Sequence, residues 1–76
     1  MPHVIVKMRP GRSDQLKTQL AHEIAKAVAS TLGLSEDSVS VAVEDIKAAD
    51  WTEHVYQPDI IGKPSTIYKK PGYDPT

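Results

Sequence analysis

The sequence predicts a small α+β domain of β-α-β architecture: two parallel strands, a long helix on one face and an irregular C-terminal extension. Three observations predict it. An alternating apolar run follows immediately on Pro2, a long amphipathic stretch runs from Asp14 to Leu32, and a second alternating run spans Val39–Ile46. One domain is expected over residues 1–76, with a core at 2–47 and an extension at 50–76.

In "HVIVKMR", residues 3–9, Val4, Val6 and Met8 point one way and His3, Ile5 and Lys7 the other, the signature of a strand with unlike faces. A proline just ahead of a strand costs no ladder bond. "PGRSD" reads as a turn in which Ser13 caps the next helix. Across Asp14–Leu32, Leu16, Leu20, Ile24, Ala27, Val28, Thr31 and Leu32 recur at helical steps as one apolar stripe, and Gly33 stands where a left-handed terminating residue is wanted. After the polar turn "SEDS", Val39, Val41 and Val43 alternate with Ser40, Ala42 and Glu44. Strand, helix and strand in this order imply parallel pairing through a right-handed crossover. Beyond Ala49 the pattern weakens. "DWTEHVYQ" suits a short helix capped by Asp50 and ended before Pro58, and the Gly- and Pro-rich tail suits irregular chain with one short strand at 65–69.

Composition narrows the function. Nine Lys and Arg against ten Asp and Glu give a formal net charge of −1, without the basic footprint of a nucleic-acid binder. Apolar runs are too short for a membrane span and no secretory leader is seen, so a cytoplasmic location is expected. With no cysteine, neither disulfides nor a thiolate metal site can support the fold. A chain of this size buries only about 60% of the surface its unfolded form exposes. Two strands and one helix leave a sheet face and both edges bare. Homo-oligomerisation, with subunits pairing their strands into a larger sheet, is therefore expected.

The familiar catalytic constellations are missing. His3, His22 and His54 are scattered without metal-ligand spacing, and there is neither a nucleophile elbow nor a Gly-rich phosphate cradle. Glu44 and Asp45 are neighbours on a strand and face opposite ways, which argues against a carboxylate dyad. What stands out is Pro2. Removal of Met1, expected ahead of so small a residue, would leave a secondary amine. An α-amino group titrates near about 7.7–8.0, and desolvation or nearby cations lower it further, which makes a neutral general base. Taken alone, a proline at the second position more often has no catalytic use.

The stretch "PHVIVKMRPGRSDQLKTQLAHEIAKAVASTLGLSEDSVSVAVED" resembles the 4-oxalocrotonate tautomerase family. The shared features are the proline that starts a strand, "GRSDQLK" opening the helix and "DSVSVAVED" forming the second strand. Trp51 and the closing "KKPGY" are most similar to the longer, phenylpyruvate-tautomerase-like bacterial members. The resemblance implies cofactor-independent keto–enol tautomerisation of a small 2-oxo or 2-hydroxy acid, with neither metal nor organic cofactor. It puts Pro2 at the catalytic amine, Arg12 at the arginine that binds the substrate carboxylate and Trp51 at the aromatic wall of the pocket. Without it, Arg12 reads as a solvated side chain and Trp51 as a core or interface anchor. Ser40 stands where the family carries a second substrate-binding arginine, which favours a monocarboxylate such as phenylpyruvate over a dicarboxylate.

Strand geometry adds a constraint. At roughly 3.3 Å per residue, the first strand holds Pro2 and Arg12 more than about 20 Å apart, too far for one small acid. Parallel pairing puts Ser40 near the Pro2 end and Trp51 near the Arg12 end. Arg12 and Trp51 must then come from an oppositely directed neighbour, as an antiparallel dimer supplies. A homodimer is favoured over a hexamer because the tail after Trp51 can cover the surface where dimers would otherwise stack. Two other readings stay open. One is a dehalogenase- or decarboxylase-like hydratase, with Pro2 as the acid and Glu44 activating water. The other is a non-catalytic oligomeric binding module. Retention of Met1 would exclude both enzymes.

Overall fold

The computed structural model describes residues 1–74. The last two residues of the expected extension, 75 and 76, lie outside the described residues. The chain forms two compact units, one spanning Met1–Asp45 and one beginning at Ile46.

The first unit is β-α-β. Strand β1 spans His3–Met8, helix α1 Asp14–Leu32 and strand β2 Ser40–Asp45, with a short 3-10 turn at Glu36–Ser38 before β2. The strands pair in parallel, His3 opposite Ser40 and Met8 opposite Asp45. Their like faces meet as the alternation requires. Val4 lies beside Val41 and Val6 beside Val43, all partly buried, while His3 and Ile5 are exposed.

Helix α1 starts and stops where its caps direct. Ser13 is extended (φ −70°, ψ 160°), and its Oγ accepts from the Leu16 backbone N–H at 3.2 Å. At the other end Gly33 is left-handed (φ 69°), and both Gly33 and Leu34 donate their N–H groups to the Ala29 carbonyl, the latter at 2.9 Å. The apolar stripe is rotated from the expected one. Leu20, Ile24 and Val28 are partly buried beside Ala21, Ala25 and Ala29, but Leu16, Ala27, Thr31 and Leu32 are exposed. The alanine row, silent on a hydropathy pattern, lies on the less exposed side of the helix, with Ala29 its one buried residue. Across the unit, Lys17 Nζ bonds Asp45 Oδ2 at 2.7 Å and ties the start of α1 to the end of β2.

The second unit departs from expectation. A 3-10 turn at Ala48–Asp50 leads into a π-helix at Thr52–Ile61 that runs through Pro58. Asp50 belongs to the 3-10 turn and does not cap the helix, which has no side-chain cap at Trp51. A proline ends an α-helix by losing a bond and clashing one turn back. Here the ladder has the wider i→i+5 spacing and closes beyond the proline, with Gly62 N–H on the Gln57 carbonyl at 2.7 Å. The strand expected at 65–69 is absent: a 3-10 turn occupies Pro64–Thr66, and no strand forms among the described residues beyond Asp45. Val55 and Tyr56 form the core of this unit.

No helix among the described residues is long and apolar enough to cross a membrane. Ala29, 5% exposed, is the one buried residue of the first unit, while Ile5, Leu16 and Leu32 are 51%, 54% and 59% exposed.

Two glycines separate conformational from steric need. A Cβ at Gly33 would meet open space at a positive φ, so Gly33→Ala should cost about 1 kcal/mol through backbone strain alone. A Cβ at Gly62 would lie 2.9 Å from both the Gln57 and Pro58 carbonyl oxygens. Gly62→Ala should therefore cost more, and spare α1. Denaturant melts of both variants, with hydrogen exchange across α1 and the π-helix, check the ranking.

Candidate active site

Pro2 sits one residue ahead of β1, partly buried, and its carbonyl accepts the Ser40 backbone N–H at 3.1 Å. Met1 is fully exposed. The parallel register brings Ser40 to this end of the sheet, where Ser40 Oγ and His3 Nδ1 share a hydrogen bond of 2.7 Å. Sequence reasoning passed over His3. Its parity along β1 was the available signal, since residues on the outward face of one strand meet their counterparts on the other.

Arg12 lies past the opposite end of β1, between Gly11 (φ 122°) and the capping Ser13. It is exposed, and among the described residues its guanidinium has no hydrogen bond or ion pair. It adjoins the N-terminus of α1, where unpaired N–H groups and the helix dipole attract anions, with first-turn Asp14 as a local counterweight. The six residues of β1 thus stand between Pro2 and Arg12 in one subunit.

Trp51 belongs to the second unit, at the head of the π-helix. Its indole N–H donates to the Tyr73 hydroxyl at 2.9 Å, so the ring's one polar group is satisfied within the second unit. The Tyr73 ring in turn lies 5.8 Å from that of Tyr56, tilted by 47°. An open cleft of about 290 Å³ is lined by Tyr56, Ile60, Ile67, Pro71 and Tyr73, with Lys70 supplying a cation. Tyr73 was missed because a lone tyrosine in a Gly- and Pro-rich tail carries no periodic signal.

A family model described as tautomerase enzyme matches residues 2–55. The chain belongs to the tautomerase family. A probable tautomerase of Xylella fastidiosa is 48% identical over 73 residues, which cover 96% of this chain and 89% of that protein. Tautomerase PptA of Pectobacterium carotovorum is 39% identical over 74 residues, covering 96% and 97% of the two chains. Among solved structures, YwhB, a homologue of 4-oxalocrotonate tautomerase, aligns with a TM-score of 0.58 at 39% identity, over 60% of this chain and 75% of the other. Apo unfused 4-OT aligns with a TM-score of 0.62 at 26% identity, over 64% and 80%. This tautomerase is accordingly an isomerase, built on the β-α-β fold of those neighbours.

Within the aromatic cluster, burial holds the Tyr56 phenol above its usual range, with the Asp74 charge and Tyr73 adding to it. A phenol whose folded pKa is raised contributes stability that is complete below the unfolded value near 10 and is lost as pH rises through the folded one. Melting temperature should therefore drop more steeply above about pH 10 in the wild type than in Tyr56→Phe. Parallel thermal melts from neutral to alkaline pH read this out.

Proposed function

We propose that this tautomerase interconverts the enol and keto forms of a small 2-oxo acid, with a phenylpyruvate-like monocarboxylate favoured, and that the Pro2 amine is its base and acid. The observation that carries the proposal is the Ser40 N–H bond to the Pro2 carbonyl, which holds residue 2 to the sheet while Met1 projects into solvent. The family match also begins at residue 2.

With Met1 removed, neutral Pro2 takes the proton of the enol hydroxyl as the carbonyl forms. Protonated Pro2 then delivers a proton to the adjacent carbon, which completes the ketone and restores the amine. The exposed guanidinium of Arg12, contributed by a second subunit, binds the carboxylate through charge-assisted bonds. Trp51 supplies the aromatic wall that limits water around the amine and so favours its neutral form.

Ser40 in place of a second cation supports the choice of a monocarboxylate. The relative 2-hydroxymuconate tautomerase of Bacillus subtilis, 40% identical over 47 residues, makes a dicarboxylated dienol the natural comparison substrate. Assembly as an antiparallel homodimer is supported by the free edges of the two-stranded sheet and by the exposed Ile5, Leu16 and Leu32. A cytoplasmic location completes the reading.

Ketonisation of phenylenolpyruvate tests it. Pro2→Ala should lower kcat/KM by about 10²-fold or more, the lower range for a lost general base. Arg12→Ala should raise KM by about tenfold or more, as expected for a lost charged hydrogen bond. Intact mass should show the chain without Met1, and light scattering should give two subunits. Equal rates in all three proteins would end the proposal, and faster turnover of the dicarboxylated dienol would end the substrate assignment.

A further inference from the structure

We infer that Ser40 and His3 form a positioning pair that locks the Pro2 residue against the sheet. The inference rests on the reading of Pro2 as base. Ser40 makes two contacts at this terminus. Its backbone N–H holds the Pro2 carbonyl at 3.1 Å, and its Oγ shares a 2.7 Å hydrogen bond with His3 Nδ1. The two anchors lie on either side of the His3 N–Cα bond. Together they fix the peptide plane between Pro2 and His3, which a carbonyl contact alone would leave free to rock about that bond.

Chain termini fray unless they are tied down, and removal of Met1 would make Pro2 the terminus itself. The pyrrolidine ring is rigid, so once the Pro2–His3 plane is fixed the amine nitrogen moves only by rotation about the Pro2 Cα–C bond. A base must come within hydrogen-bond reach of the proton it takes, and small misplacements cost rate steeply. The position that by resemblance would carry a substrate-binding arginine is occupied here by a side chain too short to extend past His3. Ser40 holds the base and leaves the substrate to other residues.

The pair is exposed, so its removal should leave global stability nearly unchanged. Its effect should fall on kcat. Ser40→Ala and His3→Phe are each expected to lower kcat for phenylenolpyruvate by about threefold to tenfold at unchanged KM, the scale of one hydrogen bond. The double variant should be no slower than either single variant, because both remove the same bond. Ser40→Thr, which keeps the hydroxyl, should restore most of the rate.

Independently of turnover, hydrogen exchange of the Ser40 amide should quicken in His3→Phe while amides further along β1 and β2 keep their protection. A raised KM at constant kcat, multiplicative losses in the double variant, or an unchanged Ser40 amide would each overturn the inference. Failure of the underlying reading looks different: Pro2→Ala would match the wild type, and the Ser40 amide would still report whether the pair holds residue 2.

Discussion

The parallel register of β1 and β2 is the constraint on which the other features depend. His3 opposite Ser40 places the whole valine face of one strand beside that of the other, and a slip of one residue would turn the valines of one strand to the opposite face. The same register carries the Ser40 N–H to the Pro2 carbonyl, so the ladder extends one bond past the end of β1. A parallel pair also requires a long return, and α1 supplies it with a cap at each end. The Lys17–Asp45 contact then joins the helix start to the far end of β2. Its charges are partly solvated, so it fixes geometry more than it adds stability.

Chemistry at the two ends of β1 follows from that frame. One end holds Pro2, its carbonyl bonded to the Ser40 N–H beside the Ser40–His3 pair; the other carries the Arg12 guanidinium beside a helix N-terminus. In the proposed mechanism each end is half of what a small anionic substrate needs: a proton acceptor at one, a carboxylate ligand at the other. In the proposed antiparallel dimer a twofold axis would bring unlike halves together, so a chain of this size could supply two sites without a second domain.

The first unit was legible because its signals are local and repeated. Period-two alternation gave both strands, Ser13 and Gly33 gave both ends of the helix, and the valines gave the inner face of the sheet. The covered side of the helix was legible only in part: Leu20, Ile24 and Val28 lie on it as their spacing predicts, but Ala21, Ala25 and Ala29 carry too little hydropathy to announce themselves. In the second unit, Pro58 signalled a stop that applies to α geometry, and the backbone adopted a wider turn that no sequence period announces. Pro2, Arg12 and Ser40 could be picked out as candidates from the residues and their resemblance. The His3–Ser40 bond, 37 residues apart in sequence, and the Trp51–Tyr73 bond, 22 apart, depend on chain geometry outside any motif.

With Ala29 the one buried residue of its β-α-β unit, folding and association would be coupled in the proposed dimer. Apolar burial against another copy would then help to oppose chain entropy, and the native population would follow mass action. Dilution would then act as a denaturant, and the proposed half-sites at the two ends of β1 would be lost together with the fold that carries them.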